Sequence, residues 1–183
     1  MELAVHHITT RKTWTDLKLD NAACEQITNL QQHLKKDYGV ASAKQRRQIG
    51  SAVLFNGSSR TEGQSAAALL GQESGMDVYS ISLAGIVSKY IGETEKNIER
   101  VFAEAKDRKW ILFFDEADAL FGKRTETKDS HDRYANAELN YLLQRIEDYN
   151  GLVIMATNMK TNVDDAFTRR FRYIVDFPFA GSQ

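Results

Sequence analysis

Two carboxylates stand side by side at Asp115 and Glu116, behind the four apolar residues Ile111–Phe114, in the stretch ILFFDEADALF. An unbroken apolar run of that kind reads as a central strand covered on both sides, and the charges begin where it ends. Asp115 placed there can hold magnesium, directly or through water. Glu116, expected to point the other way, can polarise an attacking water. Read alone, the pair also fits the acidic first turn of a helix. Upstream, LFNGSSRTEGQSAAALL (Leu54–Leu70) runs apolar strand, glycine, small polar residues, then a small-residue helix. That is the order of a phosphate-binding loop, which reads G-x-x-x-x-G-K-[ST] when it works. This stretch contains no lysine.

Three further sites carry chemistry. Asn158 ends the buried run LVIMAT, where a neutral amide can hydrogen-bond a γ-phosphate or a water; a plain turn asparagine is the alternative. In AFTRRFRY, Arg169 and Arg172 stand three apart; arginine forks bind phosphate bidentately and suit insertion into a neighbouring site, although from these residues alone a solvated basic turn is the stronger reading. In SKYIGETEKN, Tyr90, Ile91 and Gly92 put an aromatic beside a glycine just before a helix. Such a tip can grip an extended chain, or can anchor on its own domain.

These residues need a scaffold. Residues 1–19 show no clear period, whereas Ile27, Leu30 and Leu34 recur at helical spacing between Asn21 and Lys36. Strands are expected at Ala52–Phe55, Asp77–Leu83, Ile111–Phe114, Leu152–Thr157 and Arg172–Phe177. Helices are expected at Gln64–Ser74, Gly92–Arg108 and Arg133–Asp148, with a helical turn over Asp164–Arg170. Strand alternating with helix calls for an α/β fold: a five-stranded parallel sheet flanked by helices on both faces. Ligands of such sheets sit at the carboxyl ends of the strands, where Gly57, Asp115 and Asn158 then converge.

Composition narrows the partners. Net charge is −1, which gives no bulk pull toward nucleic acid or an anionic membrane, and no apolar run is long enough to span one. The one cysteine, Cys24, excludes an intrachain disulfide and fits a reducing, cytoplasmic setting. The basic run Lys44–Arg47 reads as a solvated loop, and no Cys or His spacing suggests zinc. His6 and His7 are expected to be solvated, His33 to lie on a helix, and His131 in a polar loop.

In sequence and order these segments resemble the AAA+ ATPases, over about residues 14–179. The resemblance implies the large subdomain of a P-loop NTPase, ATP/ADP and Mg2+ as cofactors, and a ring, a hexamer, acting on a protein substrate through its pore loops. It assigns Asp115 and Glu116 to the Walker B motif, Asn158 to a sensor, Arg169 and Arg172 to arginine fingers, and Tyr90, Ile91 and Gly92 to a substrate-gripping pore loop. Tyr38 and Gly39 match residues beside adenine. SKYIGETEKN, DEADALFGKR, HDRYANAELNYLLQRIE, FPF and the Trp14 segment TWTDLKL look closer still to AAA+ proteins of bacterial contractile injection systems. The chain then divides into an N-terminal segment (1–50), a nucleotide-binding core (51–179) and a tail (180–183), with the family's helical lid expected to be absent.

The Walker A stretch departs from the family. Laid without a gap, Gly57 takes the first glycine, Arg60 and Glu62 replace later glycines, Gly63 replaces the lysine and Gln64 the Ser/Thr. With one extra loop residue, Gly63 and Ser65 fit and Gln64 replaces the lysine. Helix spacing favours the ungapped alignment. Both leave a degenerate loop over Gly57, Ser58, Ser59, Arg60, Thr61, Glu62, Gly63, Gln64 and Ser65, so ATP and Mg2+ are expected to bind weakly or not at all. Two functions stay open. One is an ATP-hydrolysing module for remodelling a protein complex. The other is a pseudo-ATPase that docks in a homo- or hetero-oligomeric ring or on an injection-system component, supplying arginines in trans. A nucleic-acid-dependent ATPase is a third class, which the charge balance does not encourage.

Overall fold

The computed structural model describes residues 5–39, 51–108, 110–118, 130–158 and 165–178. The cluster Lys44–Arg47 and the tail 180–183 lie outside them, whereas His131, expected in a polar loop, lies in the first turn of the helix Ser130–Asp148. The strands are β1 (Val5–Ile8), β2 (Ser51–Asn56), β3 (Asp77–Ser82), β4 (Trp110–Asp115), β5 (Leu152–Thr157) and β6 (Tyr173–Asp176). The helices are α1 (Asn21–Gly39), α2 (Arg60–Ser74), α3 (Leu83–Ile86), α4 (Glu93–Ala105), α5 (Ser130–Asp148) and α6 (Asp165–Thr168).

One sheet runs β1-β3-β4-β5-β2-β6. The last five strands are mutually parallel, as the sequence pattern demands. The sixth, β1, was not expected. It pairs antiparallel with β3, Val5 opposite Ile81 and Ile8 opposite Val78. A four-residue edge strand with two exposed histidines buries too little to leave an apolar period, so the sequence hides it.

Alternation along the buried strands sorts their side chains into two cores. On one face, Ile111 and Phe113 of β4 meet Ile27, Leu30 and Leu34 of α1 and Ala66, Ala67 and Leu70 of α2. On the other, Trp110, Leu112 and Phe114 meet Ile98, Val101 and Phe102 of α4 and Leu139, Leu142 and Ile146 of α5. Gly71 permits the close crossing of α2 over the sheet: a Cβ there would stand 2.7 Å from the Met76 carbonyl oxygen.

Helix α2 begins at Arg60, four residues before the expected start at Gln64. Ser59 is its N-cap and accepts a hydrogen bond from the Glu62 backbone N–H (3.3 Å), while the Ser59 hydroxyl donates to the Glu62 carboxylate (3.1 Å). Ser-x-x-Glu is a helix-start signal, and here it overrides the phosphate-loop pattern with which it overlaps. The four-residue helix α3, capped by Ser82, was also not anticipated.

Candidate functional site

The carboxyl ends of β2, β4 and β5 bring part of the expected set together. Gly57 leaves β2 at φ 75°, a left-handed value that glycine takes without a side-chain clash, and its N–H donates to the Thr157 carbonyl at 2.8 Å. Three residues later α2 starts, so Arg60 and Gln64 face the end of β4. The Arg60 Nε lies 3.2 Å from an Asp115 carboxylate oxygen, and its terminal nitrogen 3.7 Å from Glu116. The Gln64 amide donates to the same Asp115 oxygen (3.4 Å) and to the Ser80 hydroxyl (3.5 Å). Thr61 is exposed, Ser65 is buried, and Ser58 is buried with its hydroxyl unpartnered. Gly63 is packed tightly: a Cβ there would meet the Ser58 Oγ at 2.9 Å and the Phe113 ring at 3.3 Å.

Glu116 does not turn away from Asp115 as simple strand alternation predicts. Its φ is 59°, a left-handed conformation uncommon for a residue with a side chain. The strand period therefore breaks at this residue, and its carboxylate faces the same guanidinium as Asp115. The Ser82 hydroxyl donates to the other Glu116 oxygen at 2.6 Å. Strain of this kind is concentrated at functional positions.

Burial pushes the Asp115 carboxyl above its ordinary value of 3.8, against the opposing pull of the Glu116 backbone N–H and the Arg60 guanidinium. A raised acid binds its proton more tightly folded than unfolded. Its contribution to stability is complete below about pH 3.8 and is lost as pH climbs through the folded value. Asp115→Asn is therefore expected to raise the melting temperature at pH 7, with the advantage shrinking to nothing as pH falls toward 3.8. Melting curves across that range check it; a destabilised variant at neutral pH would contradict the sign.

Other expected residues fall elsewhere. Asn158 follows β5 directly and is exposed. Arg169 and Arg172 are exposed; Arg172 leads into the edge strand β6, where its N–H donates to the Ala52 carbonyl at 2.9 Å. Arg172 thus starts about four strand residues, roughly 13 Å, below the end of β2, away from the acidic pair. Their neighbour Arg170 is tied to Glu147 at 3.1 Å. Tyr38 and Gly39 close α1.

Tyr90 and Ile91 are the exposed large apolar residues among those described, at 72% and 81%. Their loop is held firmly. The Ser88 hydroxyl donates to Glu93 (2.6 Å) and accepts from the Tyr90 N–H (3.2 Å), and Gly92 caps α4 at φ 80°. Sequence reasoning missed Ser80 and Ser82. The signal was present, since β3 pairs with β4 and sets Ser82 opposite Asp115.

Residues 53–179 match the ATPase family associated with various cellular activities (AAA). An uncharacterised AAA family ATPase of Sinorhizobium fredii, y4kL, is 31% identical over 131 residues, which is 70% of this chain and 39% of that protein. The 26S proteasome subunit RPT4 of Saccharomyces cerevisiae is 40% identical over 91 residues, 47% of this chain and 21% of the subunit. The crystal structure of the FIGL-1 AAA domain in complex with ADP superposes with a TM-score of 0.65 at 21% identity, covering 96% of this chain and 59% of that one. At that identity the superposition speaks for the fold alone. The chain spans well under half the length of both curated relatives. With the family match covering most of its length, and the strand-end acids and parallel sheet in place, this chain belongs to the AAA family.

Proposed function

We propose that the chain is a protein-binding subunit of an AAA-type remodelling ring, one that relies on neighbours for ATP turnover. The observation that carries this reading is the start of α2. Where a phosphate cradle needs a run of free backbone N–H groups, Ser59 takes the Glu62 N–H, and Glu62 adds a negative charge to the first turn. An anion arriving there meets a carboxylate rather than a lysine. The metal place fits no better. Mg2+ in such sites is held by a loop Ser/Thr and the strand-end acid. Here Gln64 stands next to Asp115 and points its amide N–H at it. The residues do not fit a magnesium-bound triphosphate.

What supports a binding role is the Tyr90–Ile91 tip, exposed yet pre-ordered, which suits an extended protein chain. In this reading the exposed Arg169 and Arg172 serve a next subunit in trans. The injection-system likeness of SKYIGETEKN and its companion segments makes a component of such a machine the partner class to test first. A second reading, an ATP-hydrolysing motor, is favoured by Asp115, Glu116 and Asn158 at adjacent strand ends.

Phosphate release separates the two. The chain alone is expected to release none above background. Mixed with an AAA relative that has an intact loop, it is expected to stimulate release, and Arg169→Ala with Arg172→Ala to remove the stimulation. Turnover by the chain alone, abolished by Glu116→Gln, would establish the motor instead.

A further inference from the structure

We infer that Arg60 is a built-in counter-cation, taking the place of a divalent metal between Asp115 and Glu116 and closing that pair to metal from solution. This rests on the reading that the phosphate loop does not hold a nucleotide, and goes beyond it by naming what occupies the charge centre instead.

Donors already face both carboxylates. One Asp115 oxygen accepts from the Glu116 backbone N–H at 2.8 Å. The other accepts from Arg60 Nε at 3.2 Å and from the Gln64 amide at 3.4 Å. One Glu116 oxygen accepts from Ser82 at 2.6 Å, and the other faces the Arg60 fork at 3.7 Å. Each of the four carboxylate oxygens already has a donor facing it. A magnesium ion needs near-octahedral oxygen ligands and gives up water reluctantly; here it would have to compete with a cation and three neutral donors. A planar guanidinium with five N–H groups is suited to spanning two carboxylates, as an ammonium point charge is not.

Position does the rest. Arg60 is the first residue of α2, which the Ser59 cap and the buried Ala66–Leu70 face fix against the sheet. The guanidinium is thus tethered beside the acids at high effective concentration, which free metal must match. Its side chain is 61% exposed, while that of Asp115 is 7% exposed. Arg60 therefore closes the pair from the solvent side, where a metal would enter. One consequence is an acidic centre that stays ordered with neither metal nor nucleotide bound.

The test is a Mn2+ titration of the full chain followed by electron paramagnetic resonance. The wild type is expected to bind weakly, and Arg60→Ala to bind at least about tenfold more tightly, a gain kept modest by the solvent exposure of the guanidinium. Arg60→Ala with Asp115→Asn is expected to lose the gain, and Arg60→Lys, which keeps the charge but not the fork, to fall between Arg60→Ala and the wild type. Thermal melts check folding, and Arg60→Gln stands in if Arg60→Ala does not fold. Equal Mn2+ affinity with and without Arg60, or a gain that survives Asp115→Asn, overturns the inference. A parallel ATP–Mg2+ titration separates the two failures. Micromolar ATP binding by the wild type defeats the proposed function, whereas no ATP binding together with unchanged Mn2+ affinity defeats the Arg60 assignment alone.

Discussion

Phe113→Ala is expected to destabilise the fold by about 3–5 kcal/mol, the usual cost of removing a fully buried aromatic side chain. Phe113 is 0% exposed on the central strand β4. Its ring lies edge-on to Phe55 with centroids 6.4 Å apart, and Phe55 in turn packs on Phe177 at 5.1 Å. The same ring lies under the first turns of α2, against Gly63. Truncation therefore leaves a cavity bounded by β2, β4 and α2 and removes an edge-on aromatic pair as well. Collapse into that space is hindered, because Gly63 has no side chain and Ser58 only a small one to fill it. For a chain of this size the loss corresponds to a fall of roughly 10 °C in melting temperature. Phe113→Leu, which keeps most of the volume, is expected to cost clearly less. Urea unfolding with an unchanged slope gives the number; a loss below about 1 kcal/mol would show that the centre of the sheet is not packed as described.

The residues that make Phe113 critical are also those that made the fold legible. Ile111–Phe114 and Leu152–Thr157 are apolar on both sides because helices cover both faces of the sheet, and an uninterrupted run is the sequence trace of that burial. Helices α4 and α5 were readable because each has one buried face at the helical period. The edge strand β1 left no trace, since its stability comes from main-chain pairing to β3 rather than from side-chain burial. The start of α2 was ambiguous for a different reason. Gly57–Ser65 carries two overlapping local patterns, one like a phosphate loop and one a Ser59-x-x-Glu62 cap, and the helix starts at the second. At the site, the adjacency of the two acids could be read from their order. The left-handed turn at Glu116 and the reach of Arg60 to both carboxylates could not, because each depends on where α2 enters the sheet.

That same geometry sets the largest functional effect. ATP with magnesium is expected to bind this chain about three decades more weakly than an AAA relative with a lysine-bearing loop. A lysine about 4 Å from a phosphate charge contributes roughly 4 kcal/mol at an effective dielectric of 20, which is about a thousandfold in affinity. Glu62 at the helix start opposes an arriving anion in the same direction. Arg60 does not compensate, since its charge is already engaged by Asp115 and Glu116 at 3.2 and 3.7 Å. Nor is the lysine simply restored. Gly63→Lys must place a Cβ 2.9 Å from the Ser58 Oγ and 3.3 Å from the Phe113 ring, so it is expected to lower stability and to recover only a small part of the lost affinity. Returning the loop requires removing the cap as well, through Ser59→Gly and Glu62→Gly together with the lysine, so that the first turn of α2 can open and free its N–H groups. Calorimetric titration of the wild type, the single lysine variant and the triple variant orders the three. If Gly63→Lys alone brought micromolar ATP binding, charge would be the whole defect and the capped helix start irrelevant to it. If the wild type bound ATP at that strength, the first turn of α2 would have to open for phosphate despite its cap.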